Sequence, residues 1–384
     1  MELEKLQNGS DIRGIGSASE LGEVNLTDDA VSLISGAFFT WLKNKTKKEE
    51  LKIAIGRDSR LSGPRILSAA ANALKDAGAR VFDAGMASTP AMFMTTVTEG
   101  FMYDGAIMIT ASHLPWNRNG LKFFTCEGGL DKSDIKALIE LAKGEKPQKN
   151  AGGSIENIDF MSVYSAHLAD KIKKETGKEK PLSGMKIVVD AGNGAGGFYA
   201  KGVLAPLGAD ISGSQFLEPD GSFPNHIPNP EDKDAMAAVT EAVKKANADF
   251  GIIFDTDVDR AGAVDDEGKP VNRNRLIAMI SAIILETHPG ATIVTDSVTS
   301  SGLADFIASL GGVHHRFKRG YKNVINEAVR LNAMGVDAEL AIETSGHAAL
   351  KENYFLDDGA YLVTKLIIKL AQLREQNKSI SHLI

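Results

Sequence analysis

Three short apolar runs rich in β-branched residues recur along the chain, and each ends in a polar turn. They occupy residues 53–58, 187–190 and 293–296. Continuous apolar runs of this length are typical of strands buried in a parallel sheet. Each run is followed by a small-residue helical stretch that ends at a glycine, and then by a second predicted strand, at 79–82, 209–211 or from 313 onwards. The pattern therefore predicts a βαβ unit three times.

A third predicted strand in each repeat runs into a polar loop. These strands comprise residues 106–109, 251–254 and 340–342. In open α/β sheets, ligands bind at the carboxyl ends of the strands. We therefore predict an α/β fold of three consecutive similar domains, with mixed, mainly parallel sheets and helices on both faces, and with the functional loops at these strand ends.

Two polar segments lack hydrophobic periodicity and mark the expected domain boundaries. They span residues 144–154 and 265–270, and both contain glycine and proline. The predicted domains are 1–150, 151–266 and 267–384. A helix is predicted over 358–373, and the polar residues from 372 onwards are typical of a connection to a further segment.

Composition excludes several classes of protein. Of 384 residues, 43% are apolar and 24% are charged, as in ordinary globular proteins, and the net charge of −7 comes without a basic stripe. Nucleic acid is therefore not an expected partner, whereas small anionic ligands are compatible. Cys126 is the single cysteine, so no intrachain disulfide or cysteine zinc cluster can form. No run approaches the ~20 apolar residues of a membrane span. We expect a cytoplasmic location, or an organelle stroma after removal of a transit peptide.

The loop after the strand 106–109 combines a hydroxyl, an imidazole and a cation. It contains Ser112, His113 and Lys122. A phosphoryl-transfer site needs such groups, although the composition alone is also that of a surface loop. A Ser-His hydrolase is a weaker alternative, because residues adjacent in sequence seldom place the histidine on the hydroxyl and no G-x-S-x-G elbow surrounds Ser112.

The loop after the strand 251–254 carries three carboxylates at alternate positions. Asp255, Asp257 and Asp259 can converge on one hard cation such as Mg²⁺. A calcium EF-hand would need a preceding helix, and glycine where Arg260 stands. A solvated acidic turn is the remaining alternative, since three clustered carboxylates are costly to bury without a cation.

Two further loops have weaker signals. Glu343 and Ser345 at a strand end could bind vicinal sugar hydroxyls, but alone they are also typical of an ordinary polar loop. Gly192, Gly194 and Gly197 match a dinucleotide-binding fingerprint after a strand. The acid expected about 20 residues later has no clear counterpart. We interpret these glycines as a tight turn with close helix packing and keep an NAD-binding oxidoreductase as a less favoured alternative.

Taken in order, the loops resemble those of the α-D-phosphohexomutase family, which includes phosphoglucomutases and phosphomannomutases. The segment 110–113 with Pro115, Asn119, Gly120 and Lys122 is similar to the family's phosphoserine loop. Residues 255–260 resemble its metal loop, and Glu343 with residues 345–347 its sugar-recognition loop. Residues 11–14 and 56–60 match two further family signatures. The resemblance covers essentially the whole chain.

The resemblance implies a role for each matched residue. Ser112 would carry a phosphoryl group and bind Mg²⁺ together with Asp255, Asp257 and Asp259. Lys122 would act as general acid and base, with Arg13, His113 and Arg260 positioning and neutralising the transferring group. The sugar hydroxyls would be held by the residues of the third loop: Glu343, Ser345 and His347. Phosphoryl transfer depends mainly on such positioning and charge neutralisation.

The implied function is the interconversion of hexose 1-phosphate and hexose 6-phosphate of glucose or mannose, through phosphoserine and a hexose bisphosphate. The family's fourth domain carries an Arg-x-Ser-Gly-Thr phosphate anchor, and no Ser-Gly-Thr occurs in this sequence. A sugar-phosphate-binding protein with little turnover is therefore the alternative. Leu114, Thr256 and Tyr321 depart from the family pattern, so the resemblance does not identify the hexose, and the oligomeric state is not predicted.

Overall fold

The computed structural model describes residues 2–20, 22–144 and 152–384. The chain divides into two compact units. The first comprises Met1–Val163 together with Asp220–Pro224, and the second comprises Tyr164–Pro219 and Asn225–Ile384. Most of the predicted linker 144–154, residues 145–151, lies outside the described residues.

The first unit contains one mixed sheet. Its strands are β1 (Gln7–Asn8), β2 (Asp11–Ile15), β3 (Lys52–Arg57), β4 (Arg80–Met86), β5 (Gly105–Ile109), β6 (Arg118–Thr125), β7 (Gly128–Gly129) and β8 (Ser154–Asn157). Its α-helices are α1 (Asp28–Thr46), α2 (Gly63–Asp76), α3 (Thr89–Met94) and α4 (Lys132–Ala142), after a 3₁₀ turn at Leu3–Leu6. The strand order is β1-β2-β6-β5-β3-β4-β8, with β7 paired to β6. The strands β5, β3, β4 and β8 are parallel to their neighbours in that run.

Helices cover both faces of this sheet because the strand residues alternate. Ile53 and Ile55 of β3 join a core with residues of α1, α2 and α4. A Cβ on the intervening Gly56 would instead meet the side chain of Met92 in α3, and Phe93 of α3 packs edge-on against Phe124 of β6. The strand 53–58 predicted from the apolar run is therefore confirmed and is buried on both sides.

The second unit begins with α5 and a four-stranded sheet. The elements are α5 (Phe160–Thr176), which starts in the first unit, β9 (Ile187–Asp190), a π-helical turn (Tyr199–Leu204), α6 (Lys233–Ala246), β10 (Phe250–Phe254), β11 (Ala261–Val264) and β12 (Pro270–Val271). The strand order is β12-β11-β10-β9, and β9 and β10 pair in parallel. Val188 and Ile253 pack against α6, whereas Phe254 packs against Tyr199 of the π-helical turn.

The strand predicted over 209–211 is wrong. Only isolated bridges form there, from Asp210 to Lys186 and from Gln215 to Asp190. The segment contains two apolar residues, Ala209 and Ile211, and neither is fully buried; a turn at residues 212–213 follows it. This edge of the sheet is therefore completed by a loop.

A five-stranded sheet completes the second unit. Its elements are α7 (Arg273–Thr287), β13 (Thr292–Asp296), α8 (Ser301–Ser309), β14 (Val313–Phe317), α9 (Tyr321–Ala333), β15 (Ala338–Ile342), β16 (Ala348–Leu350), β17 (Leu356–Asp357) and α10 (Gly359–Glu375), with 3₁₀ turns at Lys351–Asn353 and Ile380–Leu383. The order is β14-β13-β15-β16-β17. The strands β14, β13 and β15 are parallel, and β16 and β17 are antiparallel.

The predicted α/β fold with mixed sheets is confirmed, but the sheets are not mainly parallel: among the described residues six strand pairings are parallel and eight are antiparallel. Parallel pairing is concentrated in the βαβ parts, and antiparallel strands extend each sheet; in the described residues the second sheet has one parallel and two antiparallel pairings. The domain boundaries at 150 and 266 stay a prediction. Within the described ranges, no helix has the length and apolar character needed to cross a membrane.

Candidate functional site

The loop between β5 and β6 holds Ser112 in a constrained conformation. Ser112 has a φ of +51°, in the left-handed region that is uncommon for residues other than glycine, and it is buried. Its amide donates to Oγ1 of Thr110 (2.8 Å), which donates to Oδ2 of Asp58 (2.7 Å). The Ser112 Oγ lies 3.3 Å from Nδ1 of His113. The predicted serine and histidine are therefore in contact, in a loop tied to a buried carboxylate.

Arg60 organises the same loop. Its side chain is fully buried, and its Nε forms an ion pair with Asp58 (3.2 Å). Its guanidinium donates to four carbonyl oxygens, those of Ser112, Leu114, Pro115 and Arg118. Because a guanidinium presents its donors in a rigid fork, one side chain fixes the path of the whole turn. Arg60 lies in the signature 56–60 that the sequence analysis noted, but we assigned it no role, since its acceptors are carbonyl oxygens, which are common to all residues.

Two basic residues of the predicted site, Arg13 and Lys122, lie on strands beside this loop. Arg13 of β2 pairs in register with Gly120 of β6, and Lys122 of β6 is buried. A Cβ at Gly120 would lie 2.8 Å from Cδ of Arg13 and 2.9 Å from the carbonyl oxygen of Thr110, so glycine is required for this close approach. The first unit thus contains four of the predicted catalytic residues: Ser112, His113, Lys122 and Arg13.

Three aspartates follow β10 in a single buried turn. Asp255, Asp257 and Asp259 have no exposed surface, and their carboxylate oxygens lie within 4.8 Å of one another. Val258, between the last two, has a φ of +67°, a left-handed conformation that tightens the turn. The structure therefore brings the three predicted metal-binding carboxylates together.

The electrostatics of this turn suit a hard divalent cation. Burial raises the pKa of Asp255 well above its usual range, and the charges of Asp259 and Asp257 raise it further. Arg260 is the neighbouring cation, with its Nε 3.5 Å from Oδ2 of Asp255. One guanidinium cannot balance three carboxylates, whereas Mg²⁺ prefers oxygen ligands. The residues present therefore fit a bound Mg²⁺.

The glycine-rich turn after β9 packs against the aspartate turn. The amide of Ala195 donates to the carbonyl oxygen of Thr256 (2.8 Å), and a Cβ at Gly194 would lie 2.7 Å from that oxygen. Gly192 has a φ of +52°. The tight turn that we interpreted from the sequence is present, but Gly194 packs against the backbone of the aspartate turn rather than against a helix. The geometry gives no support to a dinucleotide fingerprint.

The turn after β15 joins Glu343 and Ser345. Both are buried. Oε1 of Glu343 accepts from the amide of Gly320 (2.6 Å), and Ser345 Oγ donates to Oε2 of Glu343 (3.3 Å). Burial raises the pKa of Glu343. A carboxylate and a hydroxyl held in contact can exchange hydrogen bonds with adjacent hydroxyls of a polyol.

His347 connects this turn to the aspartates. Its Nδ1 lies 2.5 Å from Oδ2 of Asp357 and 3.9 Å from Oδ1 of Asp259, and its ring stacks on Tyr321 with centroids 4.8 Å apart. Burial would lower the pKa of His347, but the charges of Asp357 and Asp259 outweigh burial and raise it. The two carboxylates therefore favour the protonated form of the imidazole.

Main-chain contacts fix the aspartate turn and the Glu343 turn against each other. Arg260 and His347 form an antiparallel bridge, and the amide of Ala261 donates to the carbonyl oxygen of Gly346 (3.3 Å). Gly346 has a φ of +94°, and a Cβ there would lie 2.7 Å from the Ala261 oxygen. The second unit therefore brings these predicted residues together: Asp255, Asp257, Asp259, Arg260, Glu343, Ser345 and His347.

Sequence reasoning missed polar groups that support these turns. Oδ2 of the buried Asp296 accepts from Oγ1 of Thr344 (2.7 Å), and Asp357 orients His347. Asp296 ends a predicted strand, where ligands are expected, so its position could have marked it. Asp357 has no comparable signal, because nothing in its neighbourhood in the sequence points to the imidazole.

The fold and these turns define a class, an α/β protein of repeated domains whose strand ends carry a buried carboxylate site suited to a divalent cation. Three family models match the chain: phosphoglucomutase/phosphomannomutase α/β/α domain I over residues 4–149, domain II over 162–268 and domain III over 272–384. The chain belongs to the phosphoglucomutase/phosphomannomutase family.

Individual relatives agree with this assignment. The chain is 34% identical over 323 residues to a phosphomannomutase/phosphoglucomutase of Pseudomonas aeruginosa, an alignment that covers 83% of this chain and 66% of the relative. It is 32% identical over 359 residues to a phosphoglucomutase of Neisseria gonorrhoeae, covering 93% and 73%. The crystal structure of a family protein from Burkholderia thailandensis is similar with a TM-score of 0.82 and 29% identity, covering 100% of this chain and 80% of that one. The chain spans about two thirds of the length of the first of these relatives.

Proposed function

We propose that this chain is a phosphohexomutase that interconverts the 1-phosphate and 6-phosphate of glucose, mannose or both. One observation carries the proposal: three fully buried aspartates, suited to Mg²⁺, are fixed by main-chain contacts to a turn with the hydrogen-bonding groups for a sugar. A carboxylate site for a cation beside a polyol site is what transfer of a phosphoryl group to a sugar requires. The names of the relatives support the same substrates.

Ser112 is the phosphoryl carrier in this proposal. In the forward half-reaction the bond from the Ser112 Oγ to phosphorus breaks as a bond from a sugar hydroxyl oxygen to phosphorus forms. Lys122 takes the hydroxyl proton, and the Ser112 Oγ keeps the electron pair of the broken bond as an alkoxide. The second half-reaction reverses these steps at the other end of the hexose bisphosphate. Arg13, His113 and Arg260 position and neutralise the phosphoryl group.

The remaining predicted residues bind the cation and the sugar. Asp255, Asp257 and Asp259 would hold Mg²⁺, together with an oxygen of the phosphoserine in this proposal. The ion would neutralise charge on the phosphoryl group. Glu343, Ser345 and His347 bind the sugar hydroxyls. Arg60 fixes the loop that carries the nucleophile, which is the positioning that phosphoryl transfer depends on.

Intact-mass measurement tests the carrier. Freshly purified protein is expected to show a partial increment of one phosphate that is absent from Ser112→Ala. Ser345→Ala is the matched control, a buried turn serine that should keep the increment. An increment that persists in Ser112→Ala would place the phosphate elsewhere and contradict the proposal. A phosphorylated chain that binds hexose phosphate without turnover would favour the alternative of a sugar-phosphate-binding protein.

A further inference from the structure

A five-residue segment that is distant in sequence from the Ser112 loop packs within the first unit. Asp220–Pro224 falls inside the range matched by the domain II model, but its contacts place it with the first unit. The segment is a tight turn: the amide of Ser222 donates to Oδ1 of Asp220 (2.9 Å), and the amide of Phe223 donates to the carbonyl oxygen of Asp220 (3.0 Å). Phe223 has a φ of +50°, which is costly for an aromatic residue and persists only where its surroundings hold it.

The segment covers Arg60. The ring of Phe223 lies over the Arg60 guanidinium, 5.3 Å from its Cζ, within the range of an attractive cation–π contact. Gly221 is buried, and a Cβ added to it would overlap the backbone of Ser59, Arg60 and Leu61. Only glycine therefore allows the turn to approach the backbone around Arg60 this closely. The aromatic ring covers one face of the guanidinium.

The buried guanidinium is the element that determines the path of the Ser112 loop. Its hydrogen bonds reach the carbonyl oxygens of Ser112, Leu114, Pro115 and Arg118. Hydrogen bonds from a charged donor strengthen where water is excluded. A ring that keeps water from one face of Arg60 therefore stiffens the loop through Arg60.

We propose that Arg60 and the segment Asp220–Pro224 are positioning elements for the phosphoryl carrier, with Phe223 and Gly221 holding Arg60 and Arg60 holding Ser112. This inference rests on the proposed phosphohexomutase function. It predicts that changes in a segment outside the Ser112 loop alter the rate of phosphoryl transfer, because small displacements of a nucleophile reduce the population of reactive geometries.

The test compares four variants of the full chain. Gly221→Ala and Phe223→Leu disturb the contact with Arg60. Phe223→Tyr keeps the ring. Gly153→Ala is the matched control. Gly153 directly precedes β8, and its added Cβ would overlap the backbone of Lys75 in α2, which is also in the first unit but away from the Ser112 loop. The readouts are kcat and KM for hexose 1-phosphate, deuterium uptake by peptides covering residues 110–118, and the melting temperature.

Gly221→Ala and Phe223→Leu are expected to lower kcat by about 10- to 100-fold, with KM changed by less than about threefold because the sugar contacts are elsewhere. Deuterium uptake over 110–118 should rise in both, whereas Phe223→Tyr should keep kcat and uptake near wild type. Gly153→Ala should lower the melting temperature while keeping kcat and uptake near wild type. Unchanged uptake over 110–118, or an equal kcat loss in Gly153→Ala, would overturn the inference. Absence of turnover in the wild type would refute the proposed function alone, and the uptake comparison would still decide whether the segment orders the loop.

Discussion

Replacement of Asp257 by asparagine should stabilise the metal-free protein and remove its response to Mg²⁺. The side chain is nearly unchanged in volume, but one of three mutually repelling carboxylates becomes neutral. Two unit charges 4.8 Å apart, the upper limit for these oxygens, repel by about 3.5 kcal/mol at an effective dielectric constant near 20. Burial and the neighbouring charges raise the pKa of Asp255 and so favour its neutral form, which opposes this repulsion. We therefore expect a net gain of about 1–3 kcal/mol in the free energy of unfolding.

Urea denaturation with EDTA and with Mg²⁺ measures both effects. Wild type should gain stability from Mg²⁺, since a ligand that binds only the folded state shifts the equilibrium towards it. The Asp257→Asn variant should be more stable than wild type in EDTA and gain little from Mg²⁺. Asp190→Asn is the matched control, a fully buried carboxylate at a strand end whose partner is His226; it should destabilise the protein in both buffers.

A destabilised Asp257→Asn variant in EDTA would refute the reasoning, because it would mean that the carboxylate is stabilising without a cation. A Mg²⁺ response equal to that of wild type would show that the cation binds elsewhere.

Three further predictions follow from single contacts. Burial lowers the pKa of His226, but the hydrogen bond and charge of Asp190 outweigh burial and raise it. The resulting stabilisation of the fold is complete below about pH 6.5, the pKa of histidine in the unfolded chain, and is lost as pH rises through the pKa of His226 in the folded protein. Urea titrations between about pH 6 and pH 8 should therefore show a larger fall in wild type than in His226→Gln, and equal slopes would contradict this. Tyr164 donates to both oxygens of Asp358 (2.7 Å), and burial raises the pKa of Asp358 to about 6. Tyr164→Phe should lower the free energy of unfolding by about 1–3 kcal/mol, and by more at high pH, where Asp358 is charged. A loss of stability that does not change with pH would argue against the contact. Gly194→Ala should weaken Mg²⁺ binding in calorimetry, since its Cβ would displace Thr256 between two of the aspartates; unchanged affinity would contradict this coupling.

The strands could be predicted from the sequence where β-branched residues dominated a short run. The runs at 187–190 and 293–296 became β9 and β13 because continuous β-branched residues fit a sheet covered on both faces. Residues 209–211 did not form a strand, because position in a repeat does not supply the missing apolar residues. The helix predicted over 358–373 formed over Gly359–Glu375.

The site was predictable where the chemistry lay in side chains close together in the sequence. The aspartates 255, 257 and 259 are the clearest case. The parts that escaped prediction depend on contacts between distant segments or with main-chain atoms. Arg60 binds carbonyl oxygens, and Phe223 reaches Arg60 from a segment far along the chain. Periodicity and motif spacing carry no information about either contact.

The most direct test of the central claim is ³¹P NMR of a hexose 1-phosphate incubated with the purified chain, Mg²⁺ and a trace of hexose 1,6-bisphosphate. We predict that the resonance of the 6-phosphate grows as that of the 1-phosphate declines, and that Ser112→Ala and EDTA each abolish the conversion. Conversion that continues in Ser112→Ala, or a 1-phosphate resonance that stays unchanged with the phosphorylated wild type, would contradict the proposal that this chain is a phosphohexomutase acting through Ser112.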